Sequence, residues 1–173
     1  MKFRWLDHDL LMIPGPSEPY HEALAVLSKP VLPHYGPQWR EIYADTQEKL
    51  KAIFGTDEDV IMLPGAGAAS LELAVANVVE PGDKALVVHD GFFTDIFRQL
   101  VETYEGTPVL VTEEYGRAVR PEMVAQALER NRNVKAMFIV HSETSTGVKH
   151  DIEAFGKIAE QYDLFHVVDA VSS

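Results

Sequence analysis

Four groups of residues have types and spacings that can do chemistry. Asp169 ends the apolar run Val167-Val168 and is followed by Ala170-Val171-Ser172-Ser173. A carboxylate entering an apolar interior needs a partner. A protonated ring nitrogen is one such partner, and the pairing would keep it charged. An acidic helix cap or a buried structural carboxylate is the plainer alternative. A metal ligand is disfavoured, because His166 is three residues back and falls on the other face of a strand. The second group is Pro64-Gly65-Ala66-Gly67-Ala68-Ala69-Ser70. Small residues let a backbone approach an anion, and the free N–H groups of a helix start point at it. A tight strand-to-helix turn has the same composition. The third is Gly91-Phe92-Phe93, where an aromatic can stack on a flat ring or simply pack in a core. The fourth is His141-Ser142-Glu143-Thr144-Ser145-Thr146-Gly147. It is dense in short donors and acceptors, as a capped turn also is.

Other chemistries lack their signatures. There is no Gly-x-x-x-x-Gly-Lys-Ser/Thr, which disfavours a P-loop ATPase. In a Gly-x-Gly-x-x-Gly fingerprint the third glycine is replaced by Ser70, and Asp90 lies late for the ribose-binding acid. An NAD-binding Rossmann domain of a dehydrogenase stays open as an alternative. His141 and Glu143 do not make His-Glu-x-x-His, no metal site is expected, and no Gly-x-Ser-x-Gly elbow occurs. The chain has no cysteine, so it holds neither a disulfide nor a thiolate nucleophile.

The elements that must position these groups follow from patterning. The 173 residues are 46% hydrophobic and 24% charged, ordinary globular values that exclude a wholly disordered chain. The net charge of −12 makes a poor general binder of nucleic acid or anionic membrane, though not of one local anion. No apolar run reaches membrane-spanning length. Prolines and glycines interrupt the first 37 residues, where Ser17 is expected to cap a short helix with Pro19 in its first turn. Apolar spacing predicts a helix over 38–54, ended by Gly55. Continuous apolar runs then predict strands at 60–63, 85–88, 108–111, 134–140 and 164–168, with helices between. Such runs argue a largely parallel sheet covered on both faces, an α/β fold. Ligands collect at the C-terminal ends of such strands, where the four groups lie.

In that order the groups resemble the N-terminal part of class V aminotransferases, the fold-type I pyridoxal-phosphate enzymes. The resemblance rests on Ile13-Pro14-Gly15-Pro16, Gly65-Ala66-Gly67, Glu143-Thr144-Ser145-Thr146-Gly147 and Val168-Asp169-Ala170-Val171-Ser172-Ser173. It implies a large cofactor-binding domain over 38–173 and an N-terminal segment, 1–37, lining the cleft and a dimer interface. It implies that Gly67 and Ala68 hold the phosphate of pyridoxal 5'-phosphate. Phe93 stacks on the ring, where a tryptophan is frequent, and Thr94 stands where a glycine is common. Thr144 lies near the ring substituents, and Asp169 pairs with the ring nitrogen. Pro14, Gly15 and Tyr35 lie on the substrate side; Tyr35 occurs where relatives often read His-Arg. The implied reaction moves an amino group from alanine or serine to glyoxylate or pyruvate, in a cytoplasmic homodimer with no nucleic-acid or membrane partner. A lyase or desulfurase reaction on the same scaffold is the alternative. The Schiff-base lysine and a carboxylate-binding arginine are expected beyond Ser173, so residues 1–173 alone are expected not to turn over. Lys51, Lys84 and Lys149 are not in the lysine's context.

Overall fold

Alternate residues of a strand face opposite sides of its sheet, and here both sides are apolar. The computed structural model describes residues 11–173. They fall into two compact units, divided between Leu63 and Pro64.

The first unit holds helices α1 (His21–Val26) and α2 (Pro37–Phe54). Helix α1 starts later than the expected Ser17 cap. Its cap is Tyr20, whose carbonyl accepts from the N–H groups of Ala23 and Leu24. Helix α2 opens on Pro37, where a missing N–H costs nothing, and stops at Gly55, which is left-handed at φ 64°. The strand expected over 60–63 does not form. Val60 N–H donates to the Gln47 side chain at 3.2 Å, and Ile61 and Leu63 are exposed. An apolar run becomes a strand only where a neighbour supplies the ladder.

The second unit runs α3 (Gly67–Val78), β1 (Lys84–His89), α4 (Phe92–Thr103), β2 (Thr107–Thr112), α5 (Pro121–Arg130), β3 (Val134–Val140), β4 (Ser142–Glu143), β5 (Val148–Lys149), α6 (Ile152–Gln161) and β6 (Phe165–Asp169). Four strands, not the five expected, form one parallel sheet in the order β2-β1-β3-β6. Strands β4 and β5 form an antiparallel hairpin of their own. It was not expected. Gly147 at φ 75° lets the chain reverse, and both Thr146 and Gly147 donate their N–H to the Glu143 carbonyl.

The core has two layers. Ala85, Val87, Ala136, Phe138 and Val140 face Leu71, Val75, Phe97 and Val101 of α3 and α4. Leu86, Val88, Val111, Met137 and Ile139 face Val124, Leu128, Phe155 and Ala159 of α5 and α6. Helices therefore cover both faces. Among the described residues no helix is long and apolar enough to cross a membrane.

Candidate functional site

All four sheet strands run the same way, so the segments after β1, β3 and β6 emerge at one edge. Each is tied to another there. His141 N–H donates to the Asp169 carbonyl at 2.8 Å, and the hydroxyls of Thr144 and Ser172 share a hydrogen bond of 2.6 Å. A side chain at Gly67 would place its Cβ 3.2 Å from Val171 Cγ2. The glycine loop therefore lies against the segment that follows Asp169.

Helix α3 begins at this edge. Its N-cap is Ala66, and among the described residues no side chain caps it. The first N–H groups of a helix have no partner inside it and carry the positive end of its dipole. Gly67, Ala68 and Ser70 are exposed, so these donors can take an anion the size of a phosphate.

Asp169 is the last residue of β6 and is buried. Its Oδ1 accepts from Val171 N–H at 2.9 Å. Among the described residues, no hydrogen bond falls on Oδ2. A carboxylate held by one oxygen, with the other free, suits a cationic N–H partner.

Helix α4 starts at the same edge and is filled from within the protein. Oε2 of Glu143 accepts from the N–H groups of Phe93 and Thr94, both at 3.1 Å. Its Oε1 accepts from Ser145 N–H at 3.0 Å and from the Ser145 hydroxyl at 2.7 Å. That hydroxyl accepts in turn from Phe92 N–H at 3.0 Å. Glu143 is wholly buried. A carboxylate on a helix N-terminus neutralises its dipole, which leaves α3, not α4, as the open anion site. Gly91 makes room for this, since a Cβ there would overlap Cγ and Cδ of Glu143. The unexpected Thr94 also finds its reason. It is buried, its hydroxyl accepts from the N–H groups of Asp90 and Gly91, and it donates to the Gly91 carbonyl.

Phe93 is half-buried against the α3–α4 layer and meets exposed Phe92 edge-on, with ring centroids 5.3 Å apart. Beneath the loop, His150 Nε2 lies 2.8 Å from Asp90 Oδ2, both side chains being fully buried. The two atoms lie within ion-pair distance without meeting hydrogen-bond geometry. His150 Nδ1 donates to the Val140 carbonyl at 2.9 Å. Burial alone would lower the His150 pKa, but Asp90, the Val140 carbonyl and the Glu143 charge together hold it above the ordinary value.

Gly67, Ala68, Phe93, Thr144 and Asp169 thus all belong to the second unit, at one sheet edge. Pro14, Gly15 and Tyr35 belong to the first. Gly15 precedes Pro16 through a cis peptide bond, and exposed Tyr35 meets His34 edge-on at 5.3 Å. Of the lysines set aside above, Lys84 opens β1 at the opposite end of the strand from this edge, Lys149 lies on β5 paired with Ser142, and Lys51 lies 3.4 Å from Asp59 within the first unit. Sequence reasoning named Glu143, Gly91 and Asp90 but missed the contact of Glu143 with α4, the close approach at Gly91 and the pairing of Asp90 with His150. Gly91 directly before Phe92-Phe93 was the one available signal of close approach.

The family described as aminotransferase class-V matches residues 17–173. An uncharacterised aminotransferase of Methanocaldococcus jannaschii is 37% identical over 164 residues, covering 95% of this chain and 43% of the relative. Alanine–glyoxylate aminotransferase of Drosophila melanogaster is 34% identical, covering 94% and 42%. The crystal structure of ureidoglycine–glyoxylate aminotransferase from Bacillus subtilis superposes with a TM-score of 0.88 at 31% identity, over 94% of this chain and 42% of that one. The chain thus spans less than half the length of these relatives. Others are named for serine or L-aspartate with glyoxylate, or for pyridoxamine with pyruvate. The shared fold and the length of the match lead to one assignment: the chain belongs to the class-V aminotransferases, fold-type I enzymes whose cofactor is pyridoxal 5'-phosphate.

Proposed function

We propose that the protein transfers an amino group from a small amino acid, alanine or serine, to a small 2-oxo acid, glyoxylate or pyruvate, working as a cytoplasmic homodimer. The observation that carries this reading is the pairing at one sheet edge of an uncapped helix start with a buried carboxylate held by one oxygen. When bound, pyridoxal 5'-phosphate supplies an electron-withdrawing ring that stabilises negative charge at the substrate's Cα. The chain's residues supply the rest. The N–H groups of Gly67 and Ala68 bind the phosphate. Asp169 Oδ2 holds a proton at the ring nitrogen, and Val171 N–H orients that carboxylate through Oδ1. Phe93 limits ring tilt from one side. Thr144, restrained by Ser172, offers its hydroxyl to the ring's oxygen substituent. Pro14, Gly15 and Tyr35 are assigned to the substrate side by the family resemblance alone.

The names of the relatives support glyoxylate as acceptor more evenly than any one donor. The test uses the natural full-length protein with pyridoxal 5'-phosphate. A visible absorbance band that borohydride reduces and fixes to the protein is expected; absence of that band overturns the cofactor chemistry. With glyoxylate or pyruvate as acceptor, alanine or serine is expected to be the fastest donor. A faster reaction with aspartate overturns the substrate assignment alone.

A further inference from the structure

Two oxygens of one buried side chain hold together two segments that the proposed chemistry uses separately. Glu143 stands next to Thr144 in sequence, and its Oε2 holds the backbone of Phe93 and Thr94, 50 and 49 residues away. We propose that Glu143 is a positioning residue: it clamps the first turn of α4 to the β4–β5 hairpin and so sets where the Phe93 ring and the Thr144 hydroxyl stand relative to one cofactor ring. This rests on the pyridoxal-phosphate reading and deepens it.

Every contact of the carboxylate is with a donor. Oε2 faces two backbone N–H groups, and Oε1 faces one N–H and one hydroxyl. An acid side chain, with acceptor capacity on both oxygens, satisfies all four. An amide of the same shape does not. In either orientation its NH2 is turned against a backbone N–H, and a buried polar group is left without its partner. Gly91 points the same way. Its φ of −169° is open to any residue, so the backbone does not call for glycine there. The space beside Glu143 does, because a side chain would overlap the carboxylate stem. Ser145 extends the clamp by receiving Phe92 N–H while donating to Glu143, so three consecutive N–H groups of α4 are held from the hairpin. The Phe93 ring follows its backbone, whose N–H is held by Glu143.

The experiment compares wild type, Glu143→Gln and Ser145→Ala in the full-length protein. It measures the pyridoxal 5'-phosphate dissociation constant, the visible circular dichroism of the bound cofactor and the melting temperature without cofactor. For Glu143→Gln, affinity is expected to fall about tenfold, with a visible dichroism reduced per bound cofactor. Ser145→Ala removes two bonds at an exposed position, the one from Phe92 N–H and the one to Glu143, and leaves the carboxylate on Phe93 and Thr94 in place; a shift in the same direction of about threefold is expected. Melting temperatures that fall while affinity and dichroism stay at wild-type values mean a purely structural carboxylate and overturn the proposal. If Glu143→Gln does not fold, Ser145→Ala decides on the same readouts. Failure of wild type to bind the cofactor overturns the underlying reading and the clamp's role with it. Failure of the clamp alone shows only in the variants.

Discussion

The role proposed for Asp169 asks one residue to be buried and to keep one carboxylate oxygen for a partner. Its position at the end of an apolar strand signalled this in the sequence, and the structure adds the Val171 N–H that fixes one oxygen. Asp169→Asn keeps the shape but no longer favours a protonated partner. We expect the half-reaction with amino acid to slow on the order of a hundredfold or more, with part of the cofactor retained, as read by stopped-flow absorbance. Unchanged half-reaction rates would contradict the assigned role. Gly91 was less legible, because a glycine before a helix has many causes. The Glu143 side chain that excludes a Cβ arrives from a segment distant in sequence, beyond β2, α5 and β3, and no local pattern reports that. Gly91→Ala is expected to lower stability by about 2 kcal/mol in urea unfolding.

Among elements, α3 and α4 make the informative contrast. Both start at the same edge after a small residue, and both read in sequence as helices following strands. Only the structure separates them, since Glu143 occupies one N-terminus and no side chain caps the other. Proline at the first helical position keeps a helix while deleting its donor, and Ala66 before Gly67 is extended, as a residue preceding proline prefers. Gly67→Pro is therefore expected to leave helix content unchanged by far-UV circular dichroism. Cofactor affinity is expected to fall about tenfold. Equal affinity would show that the phosphate is held elsewhere. The strands at 107–112, 134–140 and 165–169 were legible to within a residue or two, because each apolar run has a neighbour on which to build a ladder. The run at 60–63 looked the same and lacks that neighbour, and a single run does not encode its partner. The hairpin was hidden by its length of two residues per strand.

Across the whole second unit, stability is coupled to pH through two histidines of opposite sign. His150, raised by Asp90, stabilises the fold below the ordinary histidine value. That contribution is lost as pH rises through the raised folded value. His166 is lowered by burial and has no partner on Nε2, so it favours the fold above its ordinary value and opposes it as pH falls. In urea unfolding, the gap between wild type and His150→Gln is expected to be widest below the ordinary histidine value and to narrow as pH rises through the raised folded value. A gap that is constant with pH would mean that the pair is not charged. The fold class was legible because two-sided apolar strands admit few arrangements. The strand order was not, because it depends on which helix covers which face. The clamp between Glu143 and α4 also has a kinetic consequence. It closes a loop of 50 residues that contains β2, α5 and β3, so its bonds form only after those elements have docked. The destabilisation in Gly91→Ala should therefore appear as faster unfolding with a nearly unchanged refolding rate, and the lifetime of the native state, more than its rate of formation, is set at this edge.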